Sequence, residues 1–113
     1  MSRTLSRADV SSIFSQWKAD LLTNAQVHDW AADRFAVAAW DPEDGAVNEV
    51  LSRLDTMDMN LVTVQDAAIL LAALGKGTAE DAARAMDAYR DTVDLAARKR
   101  HLSADPFYAR FCI

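Results

Sequence analysis

A chain of 113 residues, 51% of them hydrophobic and 26% charged, has the composition of a single folded domain and not of a disordered segment. Three glycines and two prolines are too few for the frequent turns of a β-sandwich or barrel. A net charge of −5 disfavours nucleic acid and anionic membrane as partners and favours a protein with a basic surface.

The predicted elements follow one another as capped helices. Ser6-Arg7-Ala8-Asp9 has the capping-box spacing, a hydroxyl followed three residues later by an acid. Val10, Ile13, Phe14, Trp17 and Leu21 then recur at helical spacing, which predicts a first helix over about 7–21. Thr23-Asn24-Ala25-Gln26 repeats the box. Val27, Trp30, Ala31, Phe35 and Ala38 carry a second stripe towards Trp40. At Asp41-Pro42-Glu43-Asp44 the aspartate suits an N-cap and the proline the first helical position, which needs no amide hydrogen. The third stripe is Val47, Val50, Leu51 and Leu54.

Met57-Asp58-Met59-Asn60-Leu61 breaks the period and reads as a linker with its methionines and leucine turned inward. Thr63-Val64-Gln65-Asp66 caps a fourth helix through Leu74, whose broad apolar surface marks it as the most buried helix. Gly75 is placed for a left-handed C-cap. Thr78-Ala79-Glu80-Asp81 opens a fifth helix with the stripe Ala82, Met86, Tyr89, Val93 and Ala96 or Ala97, and Arg98, Lys99 and Arg100 fall in its last turn. Phe107 and Phe111 in the C-terminal tail stand four apart, the spacing of one more helical turn. The expected fold is all-α: one domain over residues 1–113, a compact bundle of about five helices with a short aromatic tail.

Charge is unevenly spread. Residues 20–94 hold fifteen acids and five bases, while the two ends are basic. The longest apolar run, Ala67 to Leu74, is too short to cross a bilayer, which takes about 20 residues. The start of the chain lacks the apolar stretch of a signal peptide. A lone cysteine, Cys112, fits a reducing compartment, so the expected location is cytoplasmic.

No candidate for chemistry reaches a signature. Asp55, Asp58, Asn60, Thr63 and Asp66 are rich in oxygen, but Met57 and Met59 fall where a calcium loop needs ligands, and Asp66 stands where it needs a glutamate. His28 and His101 have no second ligand at metal spacing. Cys112 has no histidine nearby in sequence to activate it. Gly75-Lys76-Gly77-Thr78 lacks the glycine spacing of a phosphate loop. Glu80 and Asp81 stand where a DNA-reading helix would carry bases. No cofactor or metal is expected.

The leading expectation is a non-enzymatic protein that binds another protein through acidic side chains. Its candidate contacts are Asp55, Asp58, Glu80, Asp87, Asp91 and Asp94, with Trp40 as an aromatic anchor. Any one of these acids also serves solubility. A narrower form is an immunity protein or antitoxin that covers the phosphate-binding cleft of a cationic toxin. A second class is a small enzyme or ligand-binding bundle with a pocket between helices that combines tryptophan walls with His28 and one or more buried carboxylates. Asp9, Asp44, Asp66 and Asp81 have a separate reason to be acidic, since each stands three residues after an expected cap.

Overall fold

A computed structural model describes residues 3–113; Met1 and Ser2 lie outside the described residues. Six α-helices dominate: α1 (Arg7–Lys18), α2 (Asn24–Ala32), α3 (Gly45–Asp55), α4 (Ala67–Leu74), α5 (Ala79–Arg90) and α6 (Leu95–Leu102). A short parallel pair joins β1 (Arg3–Leu5) to β2 (Trp40–Pro42), with Arg3 opposite Trp40 and Leu5 opposite Pro42. No described helix is long and apolar enough to cross a membrane.

The capping boxes take the form that their spacing predicts. Ser6 Oγ accepts from the Asp9 amide at 3.1 Å, and Asp9 accepts from the Ser6 amide at 3.0 Å. Thr23 and Gln26 do the same for α2. Each box satisfies two amides that would otherwise face water or nothing.

The differences have local causes. α1 ends in a Schellman turn: the Leu21 amide reaches Gln16 O, the Asp20 amide reaches Trp17 O, and Asp20 takes φ +61° where glycine is usual. Leu21 therefore leaves the stripe and is 72% exposed. α2 stops at Ala32, eight residues before Trp40, and Ala36 adopts φ +58° in the turn that follows. Trp40, Asp41 and Pro42 are strand, because a missing amide hydrogen suits a strand edge as well as a first helical turn. Asp44, not Asp41, caps α3, and its carboxylate accepts from Val47 N at 3.0 Å.

The Thr63 box closes a single 3-10 turn (Val64–Asp66) that leads into α4. Gly75 stays right-handed, and Gly77 takes the positive φ, +82°. The expected fifth helix is two helices, because Asp94 caps α6 through the Ala97 amide at 3.0 Å. Met57 is buried as expected, but Met59 is 53% exposed.

The core is continuous across α1–α5. α3 packs against α2, α4 and α5 and buries Ala46, Val47, Val50, Leu51 and Leu54 completely. That is a more completely buried face than the one on α4, where Ala68 and Ala72 are exposed. Burial of each large side chain is worth about 1.5–3 kcal/mol, so these stripes supply the main driving force. α6 buries no residue fully.

Candidate functional site

The linker after α3 is where the chain gathers its polar groups. Leu61 is buried yet takes φ +55°, a left-handed conformation that costs a non-glycine residue about 1–2 kcal/mol. Three consecutive carbonyls of this turn accept from side chains of the C-terminal half. Arg90 Nη1 donates to Asn60 O at 2.8 Å, Arg98 Nη1 to Leu61 O at 3.1 Å, and the Tyr108 hydroxyl to Val62 O. Just before the turn, His28 Nε2 lies 2.9 Å from Asp55 O at the end of α3.

Below the turn sits a buried ion pair. Arg98 meets Asp66 edge on, Nη1 to Oδ2 at 2.7 Å and Nη2 to Oδ1 at 3.1 Å. The Tyr89 hydroxyl donates to Asp66 Oδ1 at 2.7 Å, and the Thr63 amide to Oδ2 at 2.9 Å. The two ionic side chains are 6% and 12% exposed. Burial opposes the Arg98 charge, but Asp66 outweighs it and holds the guanidinium above its ordinary pKa. The hydrogen bond to Asp66, then burial, raises the Tyr89 phenol. Burial first, then the nearby carboxylates Asp105 and Asp66, raises Tyr108 well above the usual tyrosine range.

Arg98, Tyr89 and Tyr108 also line an open cleft of about 590 Å³ between the 63–65 turn and α6. His101 and Asp94 stand on its walls. The cleft is concave, with apolar surface among its polar groups, but neither a tryptophan nor His28 lines it. Among the described residues, no group of three or more His, Cys, Asp or Glu side chains is arranged to hold a metal ion.

The seven expected contact residues fall in four places. Asp55, through its main-chain carbonyl, and Asp58, through its carboxylate, meet around His28, whose Nε2 is 3.9 Å from Asp58 and whose Nδ1 is 3.5 Å from Asp29. Asp58 is not a surface residue: it is 8% exposed, accepts from the Met59 amide at 2.8 Å, and lies 3.4 Å from Arg110. Its acidity serves the inside of the turn. Trp40 is half-buried, with the Arg34 guanidinium stacked on it at 4.9 Å and on Trp30 at 4.4 Å. Its face is already occupied by a cation of the same chain.

Glu80, Asp87 and Asp91 form the third place, on the outer side of α5. Their spacing puts them, with Arg84, on one stripe about 16 Å long. Asp87 pairs with Arg53 at 2.9 Å but remains 60% exposed. Glu80 and Asp91 are exposed and have no hydrogen bond or ion pair from their side chains among the described residues. Asp94 belongs to the cap of α6 instead.

The chain matches no protein-family model, no curated protein and no solved structure. Function therefore rests on these side chains.

Sequence reasoning missed Arg98, Tyr89 and Tyr108 as partners of the linker. In the sequence Asp66 is legible as the acid of a capping box and as a position that fails a calcium loop. Its pairing role needed the fold, because Arg98 stands 32 positions away.

Proposed function

We propose that the protein is a non-enzymatic binding module that presents the outer face of α5 to a basic surface on another protein. The observation that carries this reading is the aligned set Glu80, Asp87 and Asp91, exposed on one stripe with two of its three carboxylates unpaired. Most other acids are tied to caps, arginines or the linker; Asp20 and Asp33 are also exposed without a side-chain partner among the described residues, but α5 aligns three carboxylates on one stripe. Unpaired exposed carboxylates lose little on docking and steer a cationic partner by long-range attraction. The narrower form is inhibition of a cationic toxin, whose phosphate-binding cleft such a stripe would fill.

The test is capture of partners from the native cell by wild type and by Glu80→Lys/Asp91→Lys. An Asp29→Lys/Asp33→Lys variant changes net charge equally on α2 and the turn after it. The reading expects partners retained by wild type and by the α2-side variant, weakened by added salt, and lost with the α5 variant. Equal loss in both variants would show a response to net charge alone and would end it.

A further inference from the structure

A second concave feature lies on the other side of the linker. Phe35, Arg53, Thr56, Asn60, Val62 and Arg90 line a groove of about 370 Å³. That size is within the range of small-molecule sites. Two of its six named side chains are guanidiniums, and no carboxylate lines it.

The two arginines are not equivalent. Arg53 is committed: it reaches Glu49 through Nε and Nη2 and Asp87 through Nη1. Arg90 gives one bond, to Asn60 O, and has no carboxylate partner among the described residues. Its other N–H donors are unused, in a protein with five more acids than bases. The group is also held in place. Asn60 is fixed by bonds from its amide to Thr56 O at 3.2 Å and Thr56 Oγ1 at 3.0 Å, so the carbonyl that anchors Arg90 is itself positioned. A preorganised donor edge loses less freedom on binding than a free arginine does.

We propose that this groove binds a small aromatic carboxylate, with the carboxylate on Arg90 and the ring against Phe35 and Val62. A planar carboxylate matches one guanidinium edge with two parallel hydrogen bonds. A phosphate would ask for more free cationic donors than Arg90 supplies, because Arg53 is already neutralised by Glu49 and Asp87. The apolar wall selects for a ring over a short aliphatic acid. The groove touches the α5 stripe through the Arg53–Asp87 pair, but neither Glu80 nor Asp91 lines it, so the variants that test the two readings remain distinct.

The probes are benzoate and phenylacetate, with benzamide as the uncharged control and acetate as the ringless one. Each is titrated at low salt into the full chain, followed by amide shifts in two-dimensional NMR. The expected result is saturable binding of the aromatic acids, with shifts centred on Phe35, Asn60 and Arg90, and at least roughly tenfold weaker binding of benzamide and acetate. Arg90→Gln and Phe35→Leu should each weaken benzoate by a similar factor, while Arg84→Gln on the same helix and Glu80→Lys/Asp91→Lys should not. Well-dispersed spectra check that each variant is folded. Non-saturating shifts for both aromatic acids would overturn the proposal. So would equal binding of acetate, or full benzoate affinity in both Arg90→Gln and Phe35→Leu.

Discussion

Asp66 shows how much one buried charge decides. It accepts from Arg98, Tyr89 and the Thr63 amide, and its side chain is 6% exposed. Asp66→Ala leaves the Arg98 cation in a low-dielectric site without its partner, and the expected cost is about 3–5 kcal/mol. Asp66→Ala/Arg98→Met removes both charges and should recover part of that loss. Urea denaturation of the two variants checks this, and a loss below about 1 kcal/mol for Asp66→Ala would mean the pair behaves as a surface one. The tyrosines set the alkaline limit. Tyr89 and Tyr108, the two tyrosines of the chain, both have folded pKa values raised above the ordinary value of about 10. The native state then keeps protons that the unfolded chain releases. Their contribution is present in full below about pH 10 and is lost as the pH rises beyond it. Phenolate absorbance should therefore stay low in the folded protein above pH 10 and appear together with loss of helical ellipticity. Tyr108→Phe should flatten the dependence of stability on pH in that range. Phenolates that titrate at about pH 10 with the helices intact would contradict this.

At the scale of elements, the three glycines form a series with different expected signs. Gly45 lies in the first turn of α3, where an added Cβ would stand 2.8 Å from Ala79 N and 3.2 Å from Ala79 Cβ. Alanine ordinarily stabilises a helix relative to glycine by about 1 kcal/mol, but here it forces α3 and the start of α5 apart. Gly45→Ala should destabilise by about 1–3 kcal/mol. Gly77→Ala should also destabilise, by about 1 kcal/mol, because φ is +82°. Gly75→Ala, right-handed and with its nearest contact at 3.5 Å, should be neutral or slightly stabilising. Thermal melts of the three variants check the order, and a Gly45→Ala variant more stable than wild type would show that the contact relaxes freely. Helix starts were legible for the same local reason. Ser6, Thr23 and Thr78 bond to amides three residues away, so the sequence window that carries the signal also contains its partner. Ends and breaks were less legible. Asp41 and Asp44 both precede apolar stripes, and the choice between them depends on β1, which pairs with Trp40–Pro42 from 37 positions away. The stripe through Tyr89, Val93 and Ala97 runs on across Asp94, and periodicity alone does not show that this aspartate caps a new helix.

The whole molecule is held together in two different ways. From α1 to α5 the helices share a core of fully buried aliphatic and aromatic side chains. Beyond Asp91 the attachment changes: α6 has no buried residue, and the segment is fastened at separate points. Arg98 holds it to Asp66 and Leu61 O, Tyr108 is wholly buried with its hydroxyl on Val62 O, and Phe107 packs edge-on to His28 at 5.6 Å. The expected aromatic tail thus docks on its own chain, and the residue that anchors it is Tyr108, not the Phe107–Phe111 pair that helical spacing singled out. That choice was illegible in sequence because the acceptor is a backbone carbonyl 46 positions earlier, exposed to the tyrosine by the left-handed turn at Leu61. A segment fastened at points opens without the core having to open. Amides of α6 should therefore exchange with solvent at a lower opening free energy than those of α3, whose face is buried throughout. Tyr108→Phe and Arg98→Met should each speed exchange across residues 95–111 while leaving α3 protected. Hydrogen exchange followed by NMR reads both regions in one sample. If either substitution speeds exchange equally in α3 and α6, the C-terminal segment unfolds only with the core, and the two modes of attachment are energetically one.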